Sequence, residues 1–229
     1  MIRRLLLWTS LLLVLLPLAG CGGAGGQWVA YEPAAGGYRP VTLSAPPAIP
    51  LSQVVTADLD ADGTLEVVRV ENGQVRIEDG GEPAWQGNRQ WRVVDIVAGD
   101  VEDDLRQEVL IAMWKEDDQG IPRSHPFIIG HRHGRYDVLW GGSAVVDPIR
   151  DLDLGDVDGD GRTELVVLEG TYEEPEDAPA RFVTVWRWNG WGFTLLWRSE
   201  AGQFRHLNLL DVDVDGAVEI VVEDVSTDH

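Results

Sequence analysis

The sequence predicts an all-β fold built from four repeats of one antiparallel sheet unit, and three observations predict it. A short acidic motif recurs four times. Each copy is flanked by Val- and Leu-rich runs of strand length. Hairpin turn signals follow at regular distances.

The first twenty residues stand apart. "MIRR" carries two positive charges, and "LLLWTSLLLVLLPLAG" is an apolar run too short to span a bilayer comfortably. "LAGC", Leu18 to Cys21, follows at once. This stretch resembles a bacterial lipoprotein signal, with small residues before an invariant Cys. The resemblance implies cleavage of residues 1–20, acylation of Cys21, export, and anchoring on the outer face of the cell membrane or in the periplasm. Cys21 is the only Cys, so no disulfide is expected within the chain. Residues 21–27, with "GGAGGQ", read as a flexible tether.

Residues 28–229 read as the repeat domain. "QWVAYEP" and "YRPVTLS" are two strand-like runs without an acidic motif. The first motif is "DLDADGTLEVV" from Asp58, followed by "VRVENGQVRI" with Asn72-Gly73 at a hairpin turn. The second is "DVEDDLRQEVLI" from Asp100, followed by a hairpin at Gly134. The third, "DVDGDGRTELVV" from Asp156, precedes an acidic, Pro-containing insertion, "YEEPEDAP", and a hairpin at Asn189-Gly190. The fourth, "DVDVDGAVEIVV" from Asp211, stops after two strands. No segment after residue 20 has a convincing helical period.

Units of this length with four short strands suggest the blades of a small β-propeller. A seven-bladed ring needs roughly 300 residues at this repeat length, and 209 remain after residue 20. The expectation is four blades of antiparallel strands, the last closed by the N-terminal strands, with an open or distorted assembly of sheets as the alternative.

Each motif has acidic residues at positions 1, 3, 5 and 9. Short Asp side chains on alternate residues of a tight turn bring hard oxygens to one point, and Gly at position 6 permits the turn. An EF-hand would need Glu at position 12, where this chain has Arg69, Ile111, Val167 and Val222. The motifs instead resemble the loops of FG-GAP or VCBS repeats, found in integrin α-chain propellers and exported bacterial proteins.

That resemblance implies Ca²⁺ held by the side chains at 1, 3, 5 and 9 and the carbonyl at 7. The implied ligands are Asp58, Asp60, Asp62, Glu66 and the Thr64 carbonyl in the first loop. They are Asp156, Asp158, Asp160, Glu164 and the Arg162 carbonyl in the third, which is nearest the pattern. In the fourth they are Asp211, Asp213, Asp215, Glu219 and the Ala217 carbonyl. The second loop, with Asp100, Glu102, Asp104 and Glu108, departs from it: Leu105 replaces Gly, and Leu resists the positive φ such a turn needs. Two to three sites are expected, with the second loop a weaker fourth.

The net charge of −21 argues against binding nucleic acid through a basic surface. His131 and His133 are two apart, but no patterned third ligand accompanies them. Trp186, Trp188 and Trp191 fit packing between sheets better than a glycan platform. Ser143 lacks a nucleophile elbow, and nothing assigns a role to Asp95 or Asp147. The expected function is a lipid-anchored binding or scaffold module, without enzymatic activity, that joins another envelope protein. A glycan-binding module using exposed Trp and a propeller-based hydrolase or lyase are the alternatives.

Overall fold

The computed structural model describes residues 26–47, 54–142 and 148–226. Cys21 and the leader, Ser143 and Asp147 lie outside them. The described residues hold sixteen strands and no helix.

An N-terminal hairpin comes first, β1 (Gln27–Ala34) and β2 (Gly37–Thr42). The first sheet holds β3 (Val54–Ala57), β4 (Glu66–Glu71), β5 (Gln74–Asp79) and β6 (Glu82–Gln86). The second holds β7 (Arg92–Gly99), β8 (Glu108–Glu116), β9 (Pro122–Arg132) and β10 (Arg135–Gly141). The third holds β11 (Ile149–Gly155), β12 (Glu164–Glu169), β13 (Phe182–Trp188) and β14 (Phe193–Arg198). β15 (Phe204–Leu210) and β16 (Glu219–Asp224) then pair with the N-terminal hairpin, giving a fourth sheet in the order β15-β16-β1-β2. The N-terminal strands therefore complete the last sheet, as the sequence leads one to expect. All pairings are antiparallel.

Turn chemistry sets the hairpins. Asn72-Gly73 (φ 53° and 76°) and His133-Gly134 (φ 55° and 77°) both take the left-handed conformation that a twisted two-residue turn requires.

Three apolar clusters lie between successive sheets. Val68, Ile77, Ile111 and Ile129 join the first to the second. Leu110, Ile128, Leu152 and Leu165 join the second to the third. Val166, Val185, Phe204 and Ile220 join the third to the fourth. β8 therefore alternates its side chains between two cores, which is why "VLIAMW", residues 109–114, is apolar without interruption and buried throughout.

The first strands of the sheets line up, with β7 against β3 and β11, and β11 against β15. Bulges interrupt β7, β11 and β15, between Val93 and Asp95, Ile149 and Asp151, and Arg205 and Asn208. A bulge re-aims a side chain, and here the side chains reach the next sheet. Asp151 accepts from the Leu207 amide and Asp153 from the Leu209 amide, each at 2.8 Å. Asp95 is hydrogen-bonded to Asp151 across the second and third sheets. The "YEEPEDAP" segment is tied to the second and third sheets. The Arg150 guanidinium donates to the carbonyls of Pro175 at 2.8 Å and Glu176 at 2.6 Å, and Glu176 also pairs with Arg92.

Candidate metal centre

Each acidic loop leaves the first strand of its sheet and enters the second, so position 9 opens β4, β8, β12 or β16. The four loops share one backbone. Position 4 is left-handed in Ala61, Asp103, Gly159 and Val214, and position 6 in Gly63, Leu105, Gly161 and Gly216. Leu105 thus adopts the glycine conformation (φ 67°) while 95% exposed, with no packing to offset the strain.

The carboxylates hold this backbone in place. Position 1 accepts from the amides of positions 5 and 6: Asp58 from Asp62 and Gly63, Asp100 from Asp104 and Leu105, Asp156 from Asp160 and Gly161, Asp211 from Asp215 and Gly216. Position 5 accepts from position 7, through the amides of Thr64, Arg106, Arg162 and Ala217. The Glu at position 9 is buried and accepts from position 2: Glu66 from Leu59, Glu108 from Val101, Glu164 from Val157, Glu219 from Val212. Burial raises the pKa of all four, Glu108 to about 7.

Neighbouring loops touch. The Asp58 amide donates to Gln107, and Asp103 accepts from the Arg162 side chain and the Thr163 amide, both at 3.0 Å. An open cleft of about 530 Å³, lined by Asp153, Asp156, Gly159 and Gly216 among others, separates the third loop from the fourth.

The loops differ in what neutralises them. In the second, Arg132 of β9 reaches Glu102 at 2.9 Å, Asp104 at 3.5 Å and Glu108 at 2.8 Å. In the third, Arg187 of β13 reaches Asp158 at 2.9 Å, Asp160 at 3.0 Å and Glu164 at 2.7 Å. The loop nearest the sequence pattern therefore already has a cation among its carboxylates. Register explains this, since Arg187 lies directly across from Glu164. The first and fourth loops have acidic residues at that place. Asp79 follows the Val67–Glu78 pair, and Glu32 follows the Tyr31–Ile220 pair.

Metal-compatible geometry follows the same division in part. Asp58, Asp60 and Asp62 converge, as do Asp60, Glu66 and Asp79, with ligand atoms within 4.8 Å of one another. So do Asp211, Asp213 and Glu219 in the fourth loop, and Asp156, Asp158 and Glu164 in the third, where Arg187 intervenes. Asp160 and Asp215 are outside these groups, and the second loop forms none among the described residues. The Glu66 side chain is buried, with the Tyr136 hydroxyl beside it. All donors are hard oxygens, which suits calcium.

The other candidates resolve more simply. Trp188 is 7% exposed and packs edge-on against Trp140 and Phe193. Trp191 is 82% exposed. His131 packs on Tyr136 and His133 forms a turn. The sequence reading missed Arg132, Arg187, Asp79 and Asp151, all of which act across strands.

No family model matches the chain, and no curated protein matches its sequence. A crystal structure of BBS1N in complex with ARL6DN, soaked with lead, is similar over 71% of this chain at 11% identity, with a TM-score of 0.29. This chain spans 59% of that one's length.

Proposed function

We propose that this chain is an exported, Cys21-anchored, calcium-stabilised β-propeller of the FG-GAP/VCBS type that binds another envelope protein. The observation that carries the reading is the row of four acidic loops with one shared backbone, each at the entrance to its sheet. Calcium fits the first and fourth loops best, because no arginine enters them among the described residues. In the second and third loops the guanidinium supplies the positive charge.

The four sheets are read as four blades, with β3 meeting β15 to complete the ring. Asn208 supports that closure. It stands on β15 at the place from which Asp153 bonds the next sheet, and its Nδ2 is buried and unpaired. Small-angle scattering that fits an open stack rather than a ring would count against closure.

Binding is favoured over catalysis because the three carboxylates that stand between the sheets are engaged. Asp95, Asp151 and Asp153 accept backbone amides, and Asp153 and Asp156 in the cleft do the same. Exposed Trp191 sustains glycan binding as a second reading; Trp188, being buried, does not.

The test is pull-down of the native protein from detergent-solubilised membranes, with Cys21→Ser as its partner experiment. The variant should leave the membrane fraction or keep its leader. Fractionation and migration like the wild type would remove the lipoprotein reading, and glycan-array binding lost in Trp191→Ala would favour the second one.

A further inference from the structure

The four acidic loops stand together at one end of the sheets. The Asp58 amide donates to Gln107 of the second loop, and Asp103 of that loop accepts from the Arg162 side chain of the third. The cleft lined by Asp156 and Gly216 lies between the third loop and the fourth. Seventeen acidic residues are gathered at this end.

The start of the folded chain lies at the other end. β16 leaves its loop at Glu219 and runs to Asp224. β1 pairs with it antiparallel, so Gln27 faces Asp224 and Tyr31 faces Ile220. The Gly26 amide donates to the Glu223 carboxylate at 2.9 Å, and a Cβ on Gly26 would come within 2.6 Å of the Asp224 carbonyl oxygen. Gly26 is therefore held at the finish of β16, a strand's length of about 17 Å from the fourth loop. The connections at this end carry both signs of charge, with exposed Arg89, Arg181 and Arg205 among exposed Glu116, Glu173 and Glu200.

The chain advances five residues from Cys21 to Gly26, a reach of about 18 Å when fully extended. An acyl group on Cys21 thus keeps the Gly26 end close to the bilayer surface. Two orientations then differ in electrostatic cost. With the loop end turned toward an anionic bilayer, its carboxylates come within a Debye length of like charge, about 8 Å at physiological salt. With the loop end turned away, a further strand length separates them from the lipid, and the charge is screened.

We propose that the end of the molecule bearing Gly26 lies against the lipid surface and that the acidic-loop end faces away from it, as the face open to a protein partner. The proposal rests on the reading of Cys21 as the lipid anchor. Its geometry comes from the antiparallel pairing of β1 with β16.

The experiment is energy transfer from a fluorophore on single introduced cysteines to a rhodamine-labelled lipid. The lipidated chain is placed in vesicles of phosphatidylglycerol and phosphatidylcholine. Cys21 is the only native Cys, and acylation removes its thiol, so each label is unique. Gln119→Cys and Gln203→Cys report the Gly26 end, and Glu82→Cys and Arg135→Cys report the loop end, all four positions being exposed. Donor fluorescence should fall several-fold more at the first two positions than at the second two. Equal losses at both ends, or a greater loss at the loop end, would overturn the orientation and leave the anchor reading intact. A chain that fails to float with the vesicles, and whose Cys21 reacts with maleimide, would remove the anchor reading and this proposal with it.

Discussion

Leu105 and Val214 occupy backbone positions that suit glycine. Leu105 has φ 67° where the sister loops have Gly63, Gly161 and Gly216. Val214 has φ 63°, is β-branched and is 86% exposed, where the third loop has Gly159. A left-handed L-residue costs about 1–2 kcal/mol, and glycine returns about 0.5–1 kcal/mol of that through its greater unfolded entropy. Leu105→Gly and Val214→Gly should each stabilise the chain by about 0.5–1 kcal/mol, read as a higher urea midpoint at unchanged slope. Lower midpoints for both would refute the strain argument. Arg187 poses a separate question. Removing it leaves Glu164 buried without its partner, so Arg187→Gln should cost about 3–5 kcal/mol in chelator. It should also make the third loop responsive to calcium, with a larger rise in Tm on adding calcium than the wild type shows. An unchanged calcium response would mean that the arginine does not compete with an ion.

At the scale of elements, the strands and their turns were legible and the cross-strand chemistry was not. Asn72-Gly73 announces its hairpin because few other dipeptides take positive φ twice at low cost. The N-terminal strands were assignable to the last sheet because the fourth unit stops two strands short. Arg187 in its loop was not foreseeable, since it depends on which residue of β13 faces Glu164. The Asp95–Asp151 bond depends on two bulges, which have no signature in the sequence. That bond carries a pH prediction. Burial raises both carboxyls, and at Asp95 the bond to Asp151 adds to the rise, to about 8. A raised pKa means that the folded state binds more protons, so stability falls as pH rises. This contribution is complete below the ordinary carboxylate range, near 4, and is lost as pH climbs through about 8. Asp95→Asn offers Asp151 a permanent donor. Its Tm relative to the wild type should therefore rise steadily from pH 5 to pH 9 and exceed it at the upper end. A constant difference across that range would show that the pair holds no extra proton.

For the whole molecule the governing quantity is negative charge concentrated in a row. The chain carries 39 acidic against 18 basic residues, and seventeen of the acidic ones stand in the four loops. Two loops are neutralised by arginine and two are not, so metal dependence should come from the first and fourth. An ion that binds only the folded chain contributes RT ln(1 + [Ca²⁺]/Kd), about 2.7 kcal/mol per site at a hundredfold excess over Kd. Two sites then contribute about 5 kcal/mol, a large share of the roughly 5–15 kcal/mol that a domain has in total. At about 2–4 °C per kcal/mol for a chain of this size, chelation should lower Tm by on the order of 10–20 °C. Calcium should restore it better than magnesium, which demands a smaller, regular shell. Asp62→Ala and Asp213→Ala should each remove about half of the calcium response. Asp104→Ala and Asp160→Ala should lower stability without changing that response, because their loops answer to Arg132 and Arg187. Equal melting curves with and without chelator would mean that backbone amides and arginines suffice to hold all four loops. A calcium response lost in Asp160→Ala but kept in Asp62→Ala would mean that the ion displaces Arg187 and that resemblance to the repeat pattern, rather than the absence of an arginine, selects the site.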